Sequence, residues 1–285
     1  MNVENKYIKD VANLVPMPDI ALDVLKIAHD MDCDMSKLIR KVERDLSLTA
    51  NMLRMANSAY FGLPYKVTST RDIVVLLGLE TVKLMAISSA SVGVLKTPQD
   101  AYKLEPGELW NHSYATAILA EVIGKYAGCE DLSSLYTAAL LHDMGKVLLN
   151  RPLHLEMLKQ DILELGIEDA AYEQQLLKTD HARVGATLLQ GWGLPKRVTE
   201  PVRIHHSHAE IKTSSLHCRV IYLANRLEKN LGLHRGEPIE NTGIDLGQNM
   251  EGEHFPSVPG FSENWETIVS EAYERYFETS GVFEL

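Results

Sequence analysis

Apolar residues recur along this chain at intervals of three and four, the period of a helix lying against a core, and no stretch shows the strict alternation of a half-buried strand. PDIALDVLKIAHDM opens with Pro18 and Asp19, a helix-start signal, and then sets Ile20, Val24, Ile27 and Met31 on one face. MSKLIRKVERD predicts a second helix that buries Leu38, Val42 and Met35, and LSLTANMLRMANSAYFG a third that ends near Gly62 and Pro64. STRDIVVLLGLE and TVKLMAISSASVGVL follow, with Gly78 as the break between them.

After the loop KTPQDAYKLEPG, ELWNHSYATAILAEVIGKYAG predicts a strong helix that stops at Gly128. DLSSLYTAALLHDMG, with a cap at Asp131 or Ser133, is the next. EMLKQDILELG, EDAAYEQQLLKTDHARVGATLLQGWG, PKRVTEPVRIHHSH and SSLHCRVIYLANRLEKNLG complete a bundle. Leu233 to Glu263 is rich in Gly, Pro, Asn and Glu and reads as a long loop, before a last helix, ENWETIVSEAYERYF. The pattern predicts an all-α protein of two packed helical subdomains, 1–97 and 98–232, with a loop and a terminal helix, 233–285, packed on the second.

Composition narrows the function. The formal net charge is −11, which disfavours a nucleic-acid partner, because phosphate-backbone binding needs clustered Lys and Arg. One basic cluster, Lys196, Arg197 and Arg203, is suited to a phosphorylated small molecule. No apolar run reaches the roughly 18 residues of a membrane span, and the polar start MNVENKYIKD does not fit a secretory signal, so the expectation is a cytoplasmic protein. Cys33, Cys129 and Cys218 lie too far apart for a disulfide framework or a thiolate zinc site. There is no SxxK, GxSxG or phosphate-binding loop, which excludes the common serine-hydrolase and nucleotide-kinase plans.

Among the 11 histidines, several fall inside helical patterns. Glu108 and His112 are one turn apart, His142 and Asp143 are adjacent in LLHDMGKVLLN, His181 opens a helix behind Asp180, and His205 and His206 close another. Imidazole and carboxylate are the donors of divalent transition metals, and a bundle that turns them inward is an established way to hold two ions. Taken singly, each of these residues is as well explained by packing or by a helix end: Asp180 as an N-cap, His208 and His217 as surface or outer groups, Lys146 as a solvated lysine.

The order of these residues resembles the signature H…HD…D of the HD superfamily of metal-dependent phosphohydrolases: His112, then His142 and Asp143, with Lys146 extending it to HDxGK. His181, the His205–His206 pair and Glu108 are similar to the extra ligands of its HD-GYP branch, which holds two, sometimes three, iron or manganese ions; nickel and zinc suit the same donors. LVPMPDIALDVLKIAHD, NSAYFG and the LLGL segment resemble the HDOD domain of bacterial signalling proteins, from about Leu14 to Leu231. Two departures stand out. The superfamily's final Asp falls at Asn225, whose amide brings no charge, and the GYP loop is replaced by SHAEIKTSS, so cleavage of cyclic di-GMP is not implied.

The resemblance implies a bacterial signalling output protein with a di-metal centre formed by Glu108, His112, His142, Asp143, His181, His205, His206 and Asn225, acting through a protein partner. If it is catalytic, metal-acidified water attacks phosphorus, Asp143 bridges the ions and Lys146 stabilises the developing charge. Three readings stay open at this point: a metal-binding signalling module, a phosphohydrolase of a nucleotide or cyclic nucleotide, and a metal-free scaffold.

Overall fold

The computed structural model describes residues 65–160, 169–235 and 256–280 continuously; before residue 65 it describes 3–4, 7, 35–44, 49–50, 52–53 and 56–57. The expected helix from Pro18 to Met31, the side chains of Met35 and Leu38, and the middle of the expected loop, 236–255, lie outside the described residues. Among the described residues the protein is all-α, with a single isolated bridge between Gln99 and Leu104 and no strand.

The helices are α1 (Met35–Val42), α2 (Thr70–Leu95), α3 (Glu108–Tyr126), α4 (Leu132–Leu140), α5 (Met144–Lys159), α6 (Asp169–Leu177), α7 (His181–Gly191), α8 (Lys196–Ile204), α9 (His208–Ile211), α10 (Leu216–Leu231) and α11 (Trp265–Ser280). Polar caps set several starts. Ser69, Asp131, Asp180 and Ser215 each accept a hydrogen bond from the backbone N–H three residues on, so Asp131 rather than Ser133 caps α4.

The expected break at Gly78 is present: Gly78 takes φ +76 and ψ 165, outside the helical range and open to glycine at little cost, and it separates α2 into two helical parts. Residues on both sides of Gly78 share one core: Ile73, Val74, Val82, Met85 and Ala86 pack with Val42, Met52, Ala56 and Val67. The end of α2, Leu95, joins the main core. Tyr7 crosses the sequence boundary expected near residue 97. It is buried with Leu148, Leu149, Leu153 and Leu177, and its hydroxyl donates to the Leu177 carbonyl at 3.3 Å.

α3 is the central helix. It is buried on nearly every side from Leu109 to Gly124, as expected of a helix that is apolar all round. α4, α10 and α11 lie against it, and Ile268, Val269, Ala272, Tyr273 and Tyr276 bring α11 into the same core. α5 differs from the sequence expectation of a helix beginning near Glu156. It starts at Met144 and runs through Pro152. An interior proline costs about 3 kcal/mol, and here burial of Leu148, Leu149, Leu153 and Met157 on one face offsets it.

One contact positions everything that follows. A Cβ added at Gly145 would lie 1.9 Å from the His181 carbonyl oxygen and 2.8 Å from the His181 Cα. One at Gly185 would lie 3.1 Å from the Gly145 nitrogen. The absence of side chains at these glycines brings the first turn of α5 against the first turn of α7, and so brings Asp143 and His181 together.

Candidate metal centre

Asp143 stands at the start of α5, where its charge is favoured by the helix N-terminus, and five imidazoles from four other elements gather on it. Its Oδ1 is 3.1 Å from His181 Nε2 and 3.5 Å from both His142 Nε2 and His205 Nε2. His206 Nε2 lies 3.0 Å from His181 Nε2, and His205 Nε2 lies 3.3 Å from it. Asp143 Oδ2 faces the other way, 3.7 Å from His112 Nε2 and 2.9 Å from Lys146 Nζ.

The outer edges of the rings explain the inner ones. His142 Nδ1 donates to the Ala139 carbonyl and His205 Nδ1 to the Val202 carbonyl, both at 2.6 Å. His181 Nδ1 donates to Glu173 at 2.8 Å, and His112 Nδ1 donates to Glu228. A carbonyl or carboxylate only accepts, so Nδ1 carries a hydrogen in each ring, and in a neutral ring Nε2 turns a lone pair inward. This is how proteins orient metal-binding histidines.

The donor set fits divalent cations. His112 Nε2, His142 Nε2 and Asn225 Oδ1 are buried without a hydrogen-bond partner, which is costly unless a ligand satisfies them. Three groupings lie close enough to share an ion: Asp143 with His181, His205 and His206; His112 with His142 and Asp143; and His112 with Glu228 and His234. Burial holds His142 and His206 well below the ordinary imidazole value, and it lowers His205, so these rings are neutral. Burial would raise Asp143, but His142 and Lys146 outweigh it and hold the carboxyl well below its usual range. His181 goes the other way. Burial opposes its charge, yet Glu173 and Asp143 raise it to about 9, so a proton stands where a cation would bind.

Most of the expected site residues are brought together; Glu108 is not. It is exposed, and its carboxylate accepts from the Glu105 N–H at 2.7 Å, because it is the first residue of α3 and turns back to cap the helix end. Asn225 is buried on α10, one turn before Glu228. Lys146 is not the solvated lysine that its position after HDMG allows: it is buried against Asp143, with its ammonium 5.4 Å from the centre of the Tyr102 ring.

Glu173, Glu228, His234 and Tyr102 are absent from the sequence expectation. Glu173 is fully buried and also accepts from Tyr102 Oη at 2.6 Å. Glu228 is fully buried; burial would raise its carboxyl, but His112 and His234 outweigh that and hold it at about 2. Its one sequence signal is the spacing of three from Asn225, which puts both on one helix face. The outlying groups have ordinary roles. Asp180 caps α7, His217 Nε2 meets the Asp131 carbonyl at 3.1 Å, and His208 pairs with the Tyr222 hydroxyl. In the basic cluster, Arg197 is paired with Asp131 at 2.8 Å and Arg203 with Glu210 at 2.7 Å.

This bundle and its histidine-lined centre define an HD-type helical protein. The sequence profile of the HDOD domain matches residues 14–208, and the chain belongs to the HDOD domain family. An uncharacterised protein of Treponema pallidum (strain Nichols) is 26% identical over 200 residues, covering 69% of this chain and 38% of that protein. The chain thus spans well under half the length of that relative. Among solved structures, the fold is similar to a "Putative phosphohydrolase" from Shewanella amazonensis SB2B, with a TM-score of 0.68, 21% identity and 94% and 96% of the two chains covered. It is similar too to an HDOD domain protein of unknown function from Geobacter sulfurreducens, with a TM-score of 0.66, 23% identity and 99% and 98% covered. No helix among the described residues is long and apolar enough to cross a membrane.

Proposed function

We propose that this protein is an HD-type signalling protein that holds two divalent cations at Asp143 and binds a phosphate ester there. The observation that carries the reading is the convergence of buried, outward-anchored imidazoles on one buried carboxylate, with His112 Nε2, His142 Nε2 and Asn225 Oδ1 left without a hydrogen-bond partner beside it. One ion would be held by His181, His205, His206 and Asp143, the other by His112, His142 and Asp143, with Asn225 as a further oxygen donor. Nitrogen and carboxylate donors without thiolate suit iron and manganese, with nickel and zinc as competitors.

Charge supports the ligand class. Asp143, Glu173 and Glu228 outnumber Lys146 and the protonated His181, so the buried centre is negative without metal, and two dications that displace the His181 proton would make it positive. A positive, largely buried centre favours an anionic ligand. The ions would supply Lewis-acid polarisation of a phosphoryl oxygen and a source of acidified water. Lys146, held by Asp143 and Tyr102, would meet a phosphate oxygen as a point charge.

A bacterial, cytoplasmic setting and a protein partner that receives the signal belong to the same reading and rest on the family resemblance. A phosphohydrolase is the second reading, favoured by the burial of Lys146 beside Asp143. Metal analysis after purification without chelator is expected to give close to two equivalents of transition metal, and under about a tenth of an equivalent would reject the centre. A panel of phosphate mono- and diesters with Mn or Fe, run with His142→Ala and Asp143→Ala, separates binding from turnover. Turnover that survives both substitutions would exclude this centre as its source.

A further inference from the structure

His112 is a half-buried imidazole of the centre, and it is not anchored as His142 and His205 are. His142 and His205 are fixed by carbonyls of their own helices, three residues back in each case. His112 is fixed from another helix, by a fully buried carboxylate on α10. That carboxylate is in turn divided between two rings. Glu228 Oε2 accepts from His112 Nδ1, and Oε1 accepts from His234 Nδ1 and, at 3.2 Å, from the His234 backbone N–H. His234 belongs to the short turn Leu233–Arg235 after α10, and its Nε2 accepts from Arg235 Nε at 3.2 Å. The rings of His112 and His234 meet edge to face, with centroids 6.0 Å apart.

We propose that Glu228 is a positioning residue of the metal centre: clamped between His112 Nδ1 and His234 Nδ1, it fixes the His112 tautomer and ring orientation that turn the unpartnered Nε2 toward Asp143 Oδ2. Both oxygens being occupied, the carboxylate cannot rotate away from His112, and His234 ties it to the segment that follows the bundle. The inference rests on the metal reading above, and it assigns the half of the centre on the Oδ2 side to an anchor outside the HD pair. Carboxylates in this outer position typically change metal affinity by about ten- to a hundredfold when removed.

The test titrates Mn into the wild-type protein, Glu228→Leu, Glu228→Gln and His234→Ala, with ¹⁵N-detected histidine NMR on each metal-free protein. In wild type, His112 should show a protonated Nδ1 and a bare Nε2. In Glu228→Leu that preference should vanish, and the weaker Mn equivalent should lose about ten- to a hundredfold in affinity while the tighter one is unchanged. Glu228→Gln keeps one acceptor and the packing volume. It should restore the tautomer and part of the affinity, which simple loss of packing would not allow, and it keeps the test open if the Leu variant fails to fold. His234→Ala should weaken the same equivalent by less. An unchanged His112 tautomer or an unchanged second equivalent in a folded Glu228→Leu, or a Gln variant no better than Leu, overturns the inference and leaves the metal reading standing. A wild-type protein that takes up no Mn overturns both.

Discussion

The two oxygens of Asp143 face unlike surroundings. On the Oδ1 side, His181 and His205 are fully buried, and His181 is fixed by Glu173, itself held by Tyr102. On the Oδ2 side, His112 is 12% exposed and its anchor runs through Glu228 to His234, which is 15% exposed. The donors are alike, and His206 on the Oδ1 side is half-buried as His112 is, so the contrast lies in the anchors. A deep side, whose anchors are themselves buried, is suited to a resident ion, and a shallower side with an anchor at the bundle's edge is suited to an ion that exchanges or meets a ligand.

The largest blow to this contrast should come from the glycine contact. Gly145→Ala puts a methyl 1.9 Å from the His181 carbonyl, so α5 and α7 must separate and the deep side loses its geometry first. The expected cost is about 3 kcal/mol or more in urea unfolding, with loss of the tighter metal equivalent. Retention of both equivalents at wild-type affinity would show that the two helices have slack.

Smaller and more selective are His206→Ala and His112→Ala, each of which removes one donor. The first should weaken the tighter ion and the second the weaker, by about ten- to a hundredfold apiece in a metal titration. Equal losses of both ions in either variant would merge the two sides into one unit.

The smallest effect on metal, none, is expected for a group remote from both sides. Glu121 on α3 is buried, with one oxygen unpaired and the other 2.5 Å from Arg275 of α11. Burial pushes its carboxyl up from 4.5 to about 7, against the opposing pull of Arg275. Between those pH values the folded protein keeps a proton that the unfolded chain has lost. The stability tied to this proton is therefore present below pH 4.5 and disappears as the pH rises to 7, by on the order of 3 kcal/mol. Glu121→Gln should abolish that slope in urea unfolding across pH 4.5–8 and leave the metal content unchanged. A variant with the wild-type slope would place the titration elsewhere.

The helices were legible because their apolar periods and caps are local, as Asp131, Asp180 and Gly78 show. α5 was not legible before Glu156, because Pro152 reads as a stop and only the burial of its apolar face overrides that. In the site, the HD pair and the downstream histidines were visible as an ordered set. Glu108 misled because one-turn spacing does not reveal which way a first-turn carboxylate bends. Glu173 and Glu228 stayed hidden because a glutamate in a charged helix looks solvated until the fold supplies the imidazole it anchors.

The Gly145–His181 contact also bears on protein engineering. Copying Asp143 and its histidines onto another bundle would not reproduce this centre, because two helix starts that carry side chains cannot come this close. The distance between the halves of the site is set by an atom that is missing, and any transplant has to carry that gap with it.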